Sequence, residues 1–148
     1  MYNHNAIDLA ANQVGLRMKL CVGGYKSMST ILLWKDMHEV ADKVSAHFGL
    51  TFGKFMPETK KLAKYYGACW PCKKCIDAEH IDEKNCSEKI IYIRIHVLNK
   101  PNKSLARKTI LQTLAHELAH LQEWGHGRAF DAFEYDILDY MRHLGYEV

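Results

Sequence analysis

Thr113-Leu114-Ala115-His116-Glu117-Leu118-Ala119-His120-Leu121-Gln122-Glu123-Trp124-Gly125-His126 is the most informative stretch of the chain. Four residues make about one helical turn, so His116 and His120 leave one face of a helix and can grip a single ion. Glu117 lies beside them, where a carboxylate can take a proton from water held by that ion. Gly125 can end the helix in a left-handed conformation and turn His126 back toward the same face. Three neutral imidazoles leave a fourth tetrahedral position open to water, the layout of a catalytic zinc site. Glu134, one to two turns into the next helix, is the alternative third ligand; Glu123 is too close to His120 and points elsewhere. The pattern predicts a zinc hydrolase, and within that class a metallopeptidase.

The flanking residues place the motif in a fold. Leu105, Ile110, Leu111, Leu114, Ala115, Leu118 and Ala119 recur at helical spacing, so the motif helix is buried, with Ser104 as its cap. Burying imidazoles without a partner is unfavourable, and a metal removes that penalty. Upstream, Ile91, Ile93, Ile95 and Val97 alternate with Tyr92, Arg94 and His96, which predicts a strand over Ile90 to Leu98 with one face on the core. Asn99, Pro101 and Asn102 end it. A helix starts near Ser29, carries the stripe Ile31, Trp34, Met37, Val40, Ala41, Val44 and Phe48, and stops at Gly49. Leu50 to Met56 reads as a short strand ahead of Pro57, and Glu58 to Tyr66 as a lysine-rich helix or turn. A last helix over Arg128 to Leu144 turns Phe130, Phe133, Ile137, Tyr140 or Met141, and Leu144 inward. Helices around a small sheet, without regular alternation, predict an α+β fold. Residues 1–27, ending in Gly23-Gly24, read as an N-terminal appendage to a domain over 28–148, with 69–86 as an inserted cysteine-rich loop.

Bulk properties narrow the field. A chain of 148 residues fits one domain with its own core. A formal charge of +3 does not by itself argue for nucleic acid, and no apolar run is long enough to span a membrane. The first residues lack the regions of a signal peptide. Five cysteines, four of them close together, suit a reducing cytoplasm better than a disulfide scaffold.

Cys69, Cys72, Cys75 and Cys86, with His80 nearby, offer soft ligands for a second, structural zinc. Three of the four crowd one end, which departs from a paired zinc knuckle. Reduced thiols or disulfides in a loop remain the alternative, an iron–sulfur cluster a remoter one. Cys21 stands alone and is expected to be buried. Lys54, Lys60, Lys61, Lys64, Lys73 and Lys74 surround the cysteine loop with Tyr65, Tyr66 and Trp70 interleaved. Such a mixture can hold single-stranded nucleic acid through phosphate contacts and stacking, although a solvated lysine face is the commoner meaning. His4, His38, His47, His80 and His143 lack ligand spacing and read as surface residues.

The sequence HELAHL, a third histidine at His126, then Gly127 and Phe130, resembles the SprT-like and related small zincin peptidases. Tyr66-Gly67-Ala68-Cys69 upstream is also similar. The resemblance covers roughly residues 30 to 135, and Thr113 to Phe130 is its specific part. It implies a zincin-like fold, with strand 90–98 as the sheet edge over the cleft. It further implies His116, His120 and His126 as zinc ligands, Glu117 as the catalytic carboxylate, and a polypeptide substrate associated with DNA in some members. Metzincins have a glycine seven residues after the first histidine, where this chain has Glu123, and Met141 fits a helix core rather than a methionine turn. Ala6 to Gly15 is similar to the N-terminal motif of peptide deformylase, but Asp8 replaces a glycine and the glycine-cysteine segment that supplies its ligand is lacking. A third reading is a non-catalytic, zinc-stabilised nucleic-acid-binding module, against which the intact Glu117 argues. For the oxyanion of peptide hydrolysis, Tyr135, His96 and Arg94 are candidate partners by location. An edge strand can hold an extended peptide by backbone pairing.

Overall fold

The structure, a computed structural model, describes residues 28–57, 65–78, 83–97 and 100–148. The expectations for residues 1–27, for Lys60, Lys61 and Lys64, and for His80 fall outside these.

Helix α1 (Met28–Phe48) follows the expected stripe. Trp34, Met37, Val40, Ala41 and Val44 are buried along it. Gly49 ends it at φ 68°, a left-handed conformation open to glycine without a Cβ penalty. The Leu50 N–H then donates back to the Ser45 carbonyl at 2.9 Å.

Three short strands make the main sheet: β1 (Lys54–Pro57), β2 (Gly67–Trp70) and β3 (Ile90–Ile93). The order is β1-β3-β2, with β3 parallel to β1 and antiparallel to β2. Between β2 and β3 come the one-turn helix α2 (Lys73–Asp77) and a 3-10 turn at Glu83–Asn85. The strand expected over 90–98 is therefore two pieces. After β3 the chain breaks at Arg94 and Ile95, and β4 (His96–Val97) pairs with β5 (Lys100–Ser104) in a separate hairpin. Ser104 is committed to that hairpin opposite His96, so it cannot cap the motif helix, whose N-cap is Ala106.

The sheet-edge expectation is also corrected. β3 has a neighbour on each side, and β2 is the edge strand nearest the motif. Ile91, Tyr92, Ile93, Arg94 and Ile95 are all buried, which explains why a one-sided alternation failed to describe this segment. Tyr92 packs on Trp70, ring centroids 4.9 Å apart.

Helix α3 (Arg107–Ala119) carries the motif through the middle of the domain, touching α1, β2, β3 and α4 (Arg128–His143). Ile110, Leu111, Leu114 and Leu118 are fully buried. Each such side chain contributes about 1.5–3 kcal/mol, so Leu114→Ala is expected to cost about 2–5 kcal/mol. Helix α4 closes the other side with Phe130, Phe133, Ile137 and Met141 buried, so Met141 is a core residue. Trp34 of α1 stacks on Phe55 of β1 at 5.0 Å, and Tyr146 donates to Glu39 at 2.7 Å behind α4. Helices packed on a small mixed sheet make the fold α+β. No described helix is long and apolar enough to cross a membrane.

Candidate metal centre

The motif helix ends sooner than its sequence suggests. Past Ala119 the Leu121, Gln122 and Glu123 N–H groups fold back onto the carbonyls of Leu118 and Ala119, which tightens the last turn. Gly125 is not left-handed; among the described glycines only Gly49 and Gly145 have positive φ. The return of His126 comes from the whole 120–127 turn, anchored by α4 just beyond it.

The outcome at the side chains is the one expected. His126 Nε2 lies 3.2 Å from His116 Nε2 and 3.0 Å from His120 Nε2, and the three ligand atoms all fall within 4.8 Å of one another. Two nitrogens bound tetrahedrally to zinc at about 2.0–2.1 Å sit about 3.3 Å apart, so this spacing suits one ion.

Proton placement supports that fit. His120 Nδ1 lies 3.2 Å from the Glu123 carbonyl, which can only accept, so Nδ1 carries the proton. His116 Nδ1 lies 2.8 Å from Glu134 Oε2 and donates to it in the same way. Both rings then turn a bare Nε2 lone pair toward His126, an arrangement that repels unless a cation or proton lies among them. Burial lowers His120 to about 4, outweighing the opposite pull of the Glu123 carbonyl, and the neighbouring imidazoles add a smaller lowering. It is neutral at pH 7, as a ligand must be. Phe130, 1% exposed, seats all three rings at centroid distances of 4.8, 4.5 and 5.0 Å from His116, His120 and His126.

Glu117 is 6% exposed and lies against β2. Burial, and then the charge of Glu134, raise its carboxyl to about 8. A Cβ on Gly67 would stand 2.7 Å from Thr113 Cγ2 and 3.0 Å from Glu117 Oε2, so only glycine lets the edge strand approach this closely. The imidazoles and Glu117 open into a cleft of about 440 Å³ that is also lined by Tyr65, Trp124 and strand β2.

Other expected site residues fall elsewhere. Glu134 is not in the imidazole group but holds His116 from behind. Arg94 is buried, with Nε donating to the Tyr65 carbonyl at 3.0 Å, and neither it, His96 nor Tyr135 lines the cleft. His38 is not a surface residue: it packs edge-on to Trp34 and Phe55. The cysteines divide. Cys72, Cys75 and Cys86 have sulfurs within 4.8 Å of one another, whereas Cys69 stands apart, because its place on β2 puts it on the cleft wall. Burial raises the Cys69 thiol to about 12. Lys73 pairs with Asp77 at 2.9 Å, and Lys54 sits on β1.

Strand β2 and the support from Phe130 and Trp124 escaped the sequence reading. Four residues of Gly-Ala-Cys-Trp carry little periodicity, and the only signal was the aromatic at 130 noted with the motif.

No family model, curated protein or solved structure matches this chain.

Proposed function

We propose that the protein is a zinc-dependent metallopeptidase of zincin-like, SprT-like type. The observation that carries this reading is the convergence of three imidazole Nε2 atoms beside the Glu117 carboxyl, in a cleft walled by an edge strand. Three imidazoles that open onto a cleft beside a carboxyl leave a coordination position facing that cleft, the arrangement of a catalytic zinc site. When bound, zinc acts as a Lewis acid, acidifying water and polarising a carbonyl.

The chain's own residues do the rest. His116, His120 and His126 hold the ion, the first fixed by Glu134 and the second by the Glu123 carbonyl. Glu117 takes the proton from the attacking water and returns it to the leaving amine. The outer side of β2 pairs with an extended polypeptide and lays it across the imidazoles.

The test is cleavage of casein by metal-loaded wild type and Glu117→Gln. The variant should keep its zinc and lose activity by about 10²–10⁴-fold, the usual contribution of a general base. Equal cleavage by the two proteins, or a wild type that takes up no zinc at the imidazoles, defeats the reading.

A further inference from the structure

A second group of soft ligands lies outside the histidine cleft. Cys72 and Cys75 follow β2 and Cys86 precedes β3, so the three close the ends of one long strand connection. Their sulfurs stand within 4.8 Å of one another, and all are free thiols. The Cys72 N–H donates to Cys86 Sγ at 3.3 Å, the kind of contact that favours a thiolate.

Among its described residues the loop has little packing of its own. Neither α2 nor the 3-10 turn buries any residue, and a five-residue helix is far too short to persist alone. Its described ends nevertheless bring the three sulfurs together. Beside them lies Lys89, 3% exposed, with Nζ donating to the carbonyls of Cys86 at 2.6 Å and Lys84 at 2.8 Å. A divalent ion with three thiolates keeps one net negative charge, and the buried ammonium is placed to offset it.

We propose that Cys72, Cys75 and Cys86 form a second metal site, binding zinc or a cation of similar thiol affinity through three thiolates and locking the loop between β2 and β3. Thiolate ligands select such ions over magnesium or calcium, and three of them leave one tetrahedral position for a further donor. The site also bears on the cleft. Lys89 sits 5.4 Å from the centre of the Trp124 ring, and Trp124 lines the cleft beside His120. The ion thus steadies both β2 and the turn that delivers His126.

The test is metal content of chains purified without chelator, in a His116→Ala/His126→Ala variant that disables the imidazole group. We expect one zinc per chain there, and none after Cys72→Ser and Cys75→Ser are added, with circular dichroism reporting the fold. Cobalt loaded into the histidine variant should give a thiolate charge-transfer band that Cys75→Ser removes. Should the cysteine variants fail to fold, two zincs in wild type and one in the histidine variant carry the same conclusion. A metal-free histidine variant that is folded overturns the proposal, as does a disulfide among the three cysteines in protein alkylated before isolation. Zinc retained by the histidine variant, beside a wild type inactive on every polypeptide, upholds this site and defeats only the peptidase reading.

Discussion

His116 Nδ1 and Glu134 Oε2 lie 2.8 Å apart and join α3 to α4 behind the imidazole cluster. The contact fixes which nitrogen of His116 faces the other two rings. Glu134→Ala is expected to leave the fold intact and weaken zinc binding by about 10–100-fold, the usual effect of removing a carboxylate behind a histidine ligand. Competition against a chelator of known affinity measures this. Unchanged affinity would show that the carboxylate does not orient the ring, and complete loss of zinc would make it a direct ligand.

Gly67→Ala should damage both stability and activity. The new Cβ meets Thr113 Cγ2 at 2.7 Å and Glu117 Oε2 at 3.0 Å, so strand and helix must part. Overpacking of this kind costs about 1–3 kcal/mol. Thr113→Ser deletes Cγ2 and keeps the hydroxyl that donates to the Thr109 carbonyl at 2.9 Å. The double variant should regain stability in urea unfolding and remain slow in catalysis, since Glu117 stays displaced. A Gly67→Ala protein as stable as wild type would remove the basis of this prediction.

Lys89→Met keeps much of the buried stem and removes the ammonium. Two carbonyls then lose their donor inside the loop, for a loss of about 2–5 kcal/mol. The variant should also bind thiol-site zinc less tightly than wild type, measured in the His116→Ala/His126→Ala background. Full stability together with full zinc affinity contradicts the role assigned to Lys89.

His38 makes stability depend on pH. Burial lowers it from 6.5 to about 4, so the unfolded chain binds this proton more readily than the folded one. The stabilising neutral form is fully present above pH 6.5, and stability falls as pH drops toward 4. Metal-free wild type should lose about 2 kcal/mol more than metal-free His38→Leu between pH 6.5 and 4.5, from about 1.4 kcal/mol per pH unit. Urea unfolding of both proteins at the two pH values measures the difference. Parallel losses would place the titration elsewhere.

What the sequence conveyed depended on whether the cause was local. The stripes of α1 and α4 are periodic over several turns, and Gly49 marks a helix end where it was expected. His116 and His120 share a face because helix geometry requires it. His126 arrives as expected, yet through a turn that begins at Ala119 and not through a left-handed Gly125. The strand order was not legible, because β3 receives β1 and β2 from distant parts of the chain, and its alternation of Ile91, Ile93 and Ile95 with Tyr92 and Arg94 suggested one exposed face although both faces are buried. Ser104 looked like a helix cap in isolation, but the hairpin opposite His96 claims it. The cysteines looked like one set of four, and pairing of β2 with β3 moves Cys69 to the cleft.

Phe130 stands at the first turn of α4, already core and already in contact with all three imidazoles. The same packing that completes the domain therefore also seats the imidazoles, so a substitution at Phe130 cannot alter the ligand geometry without loosening the core.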